Sequence, residues 1–193
     1  MQQEPLVLGS GSPRRRELLS TLAVHFEVIV ADVDETPHEG EDPEVLVQRL
    51  ARMKLNAVMV ETASFVLAAD TIVVVDGEVL GKPRDDAEGR DMLRRLAGRD
   101  HRVTTAIALG RGGHVLDERT VTTEVTFGTI RDDEAARYVA SGEGRDKAGG
   151  YAIQGLGGGF VRGIVGSYSN VVGLPVRETL ECLRAHGVVT EWP

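Results

Sequence analysis

Hydrophobic and polar residues recur along the chain with both strand-like and helix-like spacing, which predicts an α/β fold. Apolar and β-branched runs predict strands over 5–9, 26–33, 65–69, 71–83 (a hairpin around Asp76-Gly77), 101–110 and 114–127. Apolar residues at helical intervals predict a helix that begins at Pro13 and further helices over 43–62, 85–97, 132–141 and, after Pro175, 176–186. This order mixes hairpins with crossovers, so we expect a mixed β-sheet flanked by helices.

The composition is that of a globular protein, since 41% of the 193 residues are hydrophobic and 27% are charged. This length suits a single domain over 1–193, with room for two lobes. The formal net charge of −8 argues against nucleic-acid binding through a basic surface. A small anionic ligand remains compatible with this charge, provided that a few basic residues converge locally.

The sequence predicts neither a membrane span nor a secreted protein. No run approaches the roughly 18 apolar residues of a transmembrane helix. In MQQEPLVLGSGSPRRR the charges follow a very short apolar stretch, which is the reverse of a signal peptide. Cys182 is the only cysteine, which excludes an internal disulfide, and the five histidines lack the spacing of zinc ligands. We therefore expect a cytoplasmic protein.

The stretch LGSGSPRRRELL, residues 8–19, predicts an anion site at the start of a helix. A Ser-Gly-Ser turn before Ser12 and Pro13 presents backbone N–H groups and the positive end of a helix dipole. Ser10 adds a hydroxyl, and Arg14 and Arg15 add forked donors that suit phosphate oxygens. The alternative is an ordinary capped surface helix with solvated arginines.

Two better-known phosphate motifs are absent from the sequence. GSGSPR lacks the third glycine of a dinucleotide-binding fingerprint, and the segment Gly77 to Pro83 is one residue too short for a Walker loop. In that segment a proline also replaces the Ser or Thr that would bind magnesium. Lys82 follows a glycine at a predicted strand end and could meet a phosphate, although this signal alone is weak.

Several carboxylates follow predicted strands, where ligands bind in α/β folds. Asp70 comes directly after an apolar run and precedes Thr71, so it could hold a metal or accept a proton from water. Asp34 and Glu35 belong to an acidic loop over 32–44 and are further candidates for a hard cation such as Mg²⁺. Lys54 lies among apolar positions of a predicted helix, and an exposed lysine at the helix edge is the alternative.

The segment over 142–159 is rich in glycine and has too little side chain to form a core. One interpretation is close backbone approach to a planar ligand, with the Gln154 amide reading its polar edge. A flexible surface loop is the other interpretation. Together with the anion site over 8–19, the basic residues and the carboxylates, the first interpretation predicts a nucleoside triphosphate site.

The sequence resembles the Maf family of nucleotide pyrophosphatases over residues 6 to 185. The resemblance rests on LGSGSPRRRELL, VDET, ARMKLNA, AADTIVVVDGEVLGKP, LRRLAGRDHRVTTAIAL, DKAGGYAIQGLGGGF and SNVVGLP, which occur in family order and spacing. It implies two lobes around a deep cleft, as in inosine-triphosphate pyrophosphatases. It also implies hydrolysis of a nucleoside triphosphate to a monophosphate and pyrophosphate, with a divalent cation (Mg²⁺ or Mn²⁺), in a cytoplasmic protein that can form a homodimer.

The resemblance also implies roles for individual residues. Ser10, Arg14 and Arg15 match the phosphate-contacting motif; Glu35, Lys54, Asp70 and Lys82 match the polar catalytic set; and Arg14, Thr71 and Gln154 match the positions of base preference. Asp70 is the expected proton acceptor, and Glu35 is the expected metal partner together with Asp70. The YAIQG form around Gln154 resembles the dTTP/UTP branch. A pyrophosphatase for modified purine triphosphates and a nucleotide-binding regulatory module without turnover, acting in cell-division arrest, remain alternatives.

Overall fold

The computed structural model describes residues 5–192. Its strands are β1 (Leu6–Leu8), β2 (Phe26–Val28), β3 (Phe65–Val75), β4 (Glu78–Leu80), β5 (Asp100–Arg111), β6 (His114–Phe127) and β7 (Val161–Val165). Its α-helices are α1 (Pro13–Ser20), α2 (Pro43–Met59), α3 (Asp86–Leu96), α4 (Asp132–Ser141), α5 (Tyr168–Val172) and α6 (Val176–Ala185). Two short 3₁₀ helices, Ala148–Gly150 and Leu156–Phe160, lie in the glycine-rich segment.

The strands form a mixed sheet in the order β2-β1-β3-β5-β6-β7, with β4 paired to β3. Strand β1 is parallel to both β2 and β3, whereas β4 is antiparallel to β3 and β7 is antiparallel to β6. The predicted mixed sheet flanked by helices is therefore confirmed. The predicted hairpin at Asp76-Gly77 is also confirmed, since both residues have positive φ (53° and 81°) and Val75 pairs with Glu78.

Local sequence signals fix the helix starts. The Ser12 hydroxyl accepts the N–H of Arg15 at 3.4 Å, and Pro13 occupies the first helical position of α1. Asp42 caps α2 in the same way, and Asp85 caps α3 by accepting the N–H of Glu88 at 2.8 Å. These caps satisfy N–H groups that the helices themselves cannot.

The described chain divides into two compact units, each with its own core. The first comprises 5–70, 105–121 and 173–192. Its core combines strand residues such as Leu8, Leu67 and Leu109 with helix residues such as Leu19 and Leu183, all of them fully buried. Burial of this apolar area is the main force that holds α1 and α6 against the strands.

The second unit comprises 71–104 and 122–172. Aliphatic residues of β3, α3 and β6 surround an aromatic group in which Phe127 meets Tyr151 edge to face, with ring centres 4.8 Å apart. Tyr138 and Phe160 extend this group, with ring centres 5.2 Å apart. The expectation of one domain over 1–193 stays a prediction.

The structure corrects several predictions. Strand 26–33 is wrong beyond Val28, because Val30 is exposed and the chain leaves the sheet. Val45, which fits the helical periodicity of 43–62, is 54% exposed rather than inward-facing. Strand β7 and helix α5 were not predicted from the sequence. Among residues 5–192, no helix combines the length and apolar character that a bilayer span requires.

Candidate active site

Two carboxylates from separate parts of the first unit meet at one ammonium group. Lys54 of α2 donates to Glu35 Oε1 at 2.7 Å and also to Asp70 Oδ1 of β3. The Lys54 and Asp70 side chains are only 15% and 10% exposed, whereas Glu35 is 47% exposed. The structure therefore brings together three of the four residues expected for catalysis, and it rejects the alternative of an exposed lysine at the edge of α2.

Asp70 does not end its strand, as the sequence predicts, but lies near the middle of β3. Strand β3 continues through Thr71 to Val75, because a β-branched run follows the aspartate and packs in the second unit. The Lys54 ammonium compensates the largely buried carboxylate, which would be costly to bury alone. The expected position of Asp70 at a strand end is therefore wrong, although the strand still presents its carboxylate to Lys54.

The start of α1 holds Arg15 in a defined orientation. Its Nε donates to the carbonyl of Gly173 at 2.8 Å, and its Nη1 donates to the Ser10 hydroxyl at 3.2 Å. The same hydroxyl accepts the N–H of Ser12 at 3.3 Å. Ser10 is buried, so it links the turn before α1 to the guanidinium.

Arg15 is also electrostatically coupled to the carboxylates. Burial lowers the pKa of the Arg15 guanidinium, and the negative charges of Asp70 and Glu35 oppose this effect while Arg14 adds to it. An arginine remains cationic at neutral pH despite such a shift. Arg14 and Arg15 are both partly exposed. They therefore place positive charge at the anion site that the sequence predicts at the start of α1.

The remaining predicted site residues belong to the second unit. Thr71 follows Asp70 directly in β3 and is partly buried. Lys82 follows β4 and is exposed, and Gln154 is exposed on a turn of the glycine-rich segment. The N–H of Gly149 in that segment donates to the carbonyl of Gly81, the residue before Lys82, at 3.0 Å.

The acidic loop over 32–44 has several local roles. Asp34, an alternative metal candidate, accepts the N–H of Thr36 at 3.0 Å, which leaves Glu35 as the carboxylate on Lys54. Glu41 binds Arg49 of α2 at 2.6 Å, and hydrogen bonding to Arg49 lowers the pKa of Glu41 to about 2. Most of this loop is exposed.

The glycine-rich segment is not simply a flexible surface loop, and the prediction that it contributes nothing to the core is wrong. Tyr151 and Gly157 are buried, and Ile153 packs against the core of the second unit. Tyr138 and Glu143, which accept hydrogen bonds from backbone N–H groups within 152–157, were not predicted as functional residues. A Glu two residues beyond the predicted helix end was the available signal, but nothing in the sequence showed which backbone groups it binds.

The carboxylates fit a divalent cation in their chemistry. Glu35 and Asp70 supply hard oxygen ligands, and Mg²⁺ typically takes one or two such carboxylates together with substrate phosphate oxygens and waters. Both carboxylates already converge on a single cationic group, Lys54. Within residues 5–192 no cluster of three or more His, Cys, Asp or Glu side chains is arranged around a metal position. Two carboxylates leave the remaining coordination positions of such a cation to substrate oxygens and waters.

Known proteins of similar sequence identify the family of this chain. The family model described as "Maf-like protein" matches residues 5–186. The chain belongs to the Maf family. The dTTP/UTP pyrophosphatase of Escherichia coli O157:H7 is 53% identical over 188 residues, which cover 96% of this chain and 95% of that protein. A nucleoside triphosphate pyrophosphatase of Shigella flexneri is 52% identical over the same shares.

A search of solved structures gives a more distant likeness. The Ham1 protein of Staphylococcus aureus is 19% identical, with a TM-score of 0.43 over 67% of this chain and 73% of that one. This score is too low to support a conclusion about function. The expected relation to inosine-triphosphate pyrophosphatases therefore stays a prediction.

Proposed function

We propose that this Maf protein hydrolyses nucleoside triphosphates, with dTTP and UTP preferred, to a nucleoside monophosphate and pyrophosphate. The observation that carries the proposal is the convergence of Glu35 and Asp70 on Lys54, with Arg15 electrostatically coupled to both carboxylates. The names of the curated relatives support the reaction and the choice of nucleotide.

Asp70 is the proposed general base. Its carboxylate accepts a proton from a water molecule whose oxygen attacks the α-phosphorus, and the bond from that phosphorus to the oxygen bridging to the β-phosphorus breaks. Pyrophosphate leaves with the bridging oxygen, and the water oxygen stays on the monophosphate. Lys54 keeps the Asp70 carboxylate in place for this proton transfer.

The basic residues neutralise the triphosphate. Arg15, oriented by Gly173 and Ser10, offers a forked donor, and Arg14 and Lys82 add charge where negative charge builds up on phosphate oxygens. A divalent cation (Mg²⁺ or Mn²⁺) would be held by Glu35 and Asp70 and would further reduce the repulsion between the substrate and the carboxylates.

Base preference is assigned to Gln154, Thr71 and Arg14. A Gln amide offers one donor side and one acceptor side, which suits the polar edge of a pyrimidine. The exposed position of Gln154 on its turn supports this role. We further propose that the protein acts in the cytoplasm, as a homodimer, to clean the nucleotide pool.

The test is pyrophosphate release from a panel of nucleoside triphosphates with Mg²⁺ or Mn²⁺, with EDTA as the metal-free control. We expect metal-dependent release that is fastest with dTTP and UTP. If a modified purine triphosphate is hydrolysed fastest, the proposed reaction stands but the proposed preference for dTTP and UTP is wrong. Tight binding without release from any nucleotide would contradict the proposal and support a regulatory binding module instead.

A further inference from the structure

Glu143, just beyond the end of α4, binds the segment that carries Gln154 through hydrogen bonds. Helix α4 ends at Ser141 and is capped by Gly142, whose φ of 77° turns the chain, and Glu143 follows directly. The Glu143 carboxylate accepts the N–H of Leu156 at Oε2 and the N–H of Gly157 at Oε1, both at 2.9 Å. These two backbone bonds hold the chain immediately after Gln154.

Tyr138 of α4 holds the same segment before Gln154. Its hydroxyl accepts the N–H of Ala152 at 3.0 Å and donates to Glu143 Oε1 at 3.0 Å. The Tyr138 side chain is buried against Phe160, so its own position is fixed by packing. Because the two anchoring side chains also bind each other, the chain on both sides of Gln154 is tied to one end of one helix.

Glu143 and Tyr138 have the protonation states that these hydrogen bonds require. Partial burial by itself raises the pKa of Glu143, but the N–H groups of Gly157 and Leu156 and the Tyr138 hydroxyl lower it more strongly, so the pKa lies below its usual value. Burial raises the pKa of Tyr138, which keeps its hydroxyl protonated as a donor. At neutral pH Glu143 is therefore a charged acceptor, and hydrogen bonds to charged groups are the stronger ones.

Glycine at position 155 makes room for the anchor. A Cβ atom on Gly155 would overlap the carboxylate of Glu143. The N–H of Gly155 donates to the carbonyl of Ala152 at 3.3 Å and closes the turn on which Gln154 stands. The turn and the carboxylate are thus fitted to each other, while the Gln154 side chain itself remains exposed.

We propose that Glu143, together with Tyr138, is a positioning residue that sets the orientation of Gln154 and thereby the preference for the nucleotide base. The proposal rests on the proposed function. Uracil presents a donor at N3 and an acceptor at O4, whereas cytosine presents the reverse pattern. A Gln amide can match either pattern. It therefore discriminates between UTP and CTP only when its orientation relative to the base is fixed.

The principal test compares Glu143→Gln with wild type in kcat/KM for UTP and for CTP. The two N–H donors bind different carboxylate oxygens, and the amide NH₂ group cannot accept, so one of the bonds is lost. We expect the ratio of kcat/KM for UTP to that for CTP to fall by about tenfold, with a much smaller change in kcat for UTP. Tyr138→Phe, which removes the hydroxyl but keeps the ring, should lower the ratio in the same direction.

Glu134→Gln is the matched control. Glu134 lies in the first turn of α4, where its carboxylate accepts the N–H of Arg131 at 2.9 Å. The control therefore makes the same chemical change at the opposite end of α4, away from the Gln154 segment, and should leave the ratio unchanged. A merely structural loss of folded enzyme would lower kcat for every nucleotide and would not move the ratio.

Amide hydrogen exchange over 152–157 provides a readout that does not require turnover. We expect faster exchange in Glu143→Gln and wild-type exchange in Glu134→Gln and Gln154→Ala, although Gln154→Ala should also lose the base preference. A Glu143→Gln enzyme that keeps the wild-type ratio overturns the proposal, whether or not exchange accelerates. If wild type releases no pyrophosphate, the proposed function fails, and the ratio of Kd values for UTP and CTP then decides the positioning role by the same criterion.

Discussion

Lys54 and Asp70 form an ion pair in which both side chains are largely buried, and Glu35 shares the same ammonium group from a more exposed position. A buried pair of this kind is fully compensated only while both partners remain. The arrangement therefore couples the stability of the first unit to the groups that we assign to the reaction. Substitutions at the two positions should separate these effects.

Replacing Asp70 with Asn should nearly abolish pyrophosphate release. The amide keeps an oxygen that can accept from Lys54, so the fold should survive, but it cannot take a proton from water. We expect turnover to fall by about 10²–10³-fold or more with an unchanged circular dichroism spectrum. Asp34→Asn is the matched control, because Asp34 binds the N–H of Thr36 instead. More than a tenth of wild-type turnover in Asp70→Asn would mean that Asp70 is not the base.

Replacing Lys54 with Met should reduce both stability and activity. The change leaves the Asp70 carboxylate largely buried without its ammonium partner, and removing one member of a buried pair costs about 3–5 kcal/mol of unfolding free energy. Urea unfolding of Lys54→Met, of Asp70→Asn and of the double variant measures the coupling. We expect the double variant to lose less than the sum of the single losses. Additive losses would show that the two side chains do not stabilise each other.

Replacing Arg15 with Lys should lower kcat/KM for the triphosphate substrate, although the positive charge is kept. Lysine lacks the planar fork that lets Arg15 donate to Gly173 and Ser10 while facing an anion. We expect kcat/KM to fall by about 10–100-fold. Arg16→Lys is the control, since Arg16 is the next residue of α1 and is exposed. Equal effects of the two substitutions would contradict a specific role for Arg15.

The sequence predicted much of the fold because local signals coincide with tertiary structure. Ser12 and Pro13 start α1, and Asp76-Gly77 forms a hairpin, because capping and positive-φ turns are decided by adjacent residues. The end of β2 depends instead on tertiary packing, since Val30 has strand propensity but no place in the sheet. Propensity alone could not identify that boundary.

The residues of the candidate site could be predicted from the sequence, but their arrangement in space could not. Lys54 had no distinguishing signal within α2 apart from its apolar neighbours, and only the fold shows that Asp70 and Glu35 converge on it. Asp70 was expected to end a strand because an apolar run stops there, yet its ion pair with Lys54 lets the strand continue through it. Glu143 was missed for a related reason, since its partners are backbone N–H groups more than a helical turn away.

A buried histidine in the second unit links stability to pH. His101 is 2% exposed, its Nε2 lies 2.8 Å from the hydroxyl of Tyr151, and its ring meets Phe127 edge to face. Burial lowers the pKa of His101 to about 4, although the charge of Asp100 opposes the shift. The imidazole is therefore neutral in the folded protein at pH values where it is protonated in the unfolded chain.

The free energy of unfolding should consequently decrease as the pH falls from about 6.5 to about 4, because only the unfolded chain then binds a proton at His101. The full effect is about 3 kcal/mol. Glu41 loses its stabilisation only as the pH falls from its ordinary pKa of 4.5 towards its folded pKa of about 2, so most of its effect lies below this window. Urea unfolding at pH 7 and at pH 4.5 measures the slope in wild type and in His101→Gln, whose amide can still bind Tyr151 but does not titrate. The slope should be smaller in the variant, and equal slopes would show that another group governs the acid sensitivity.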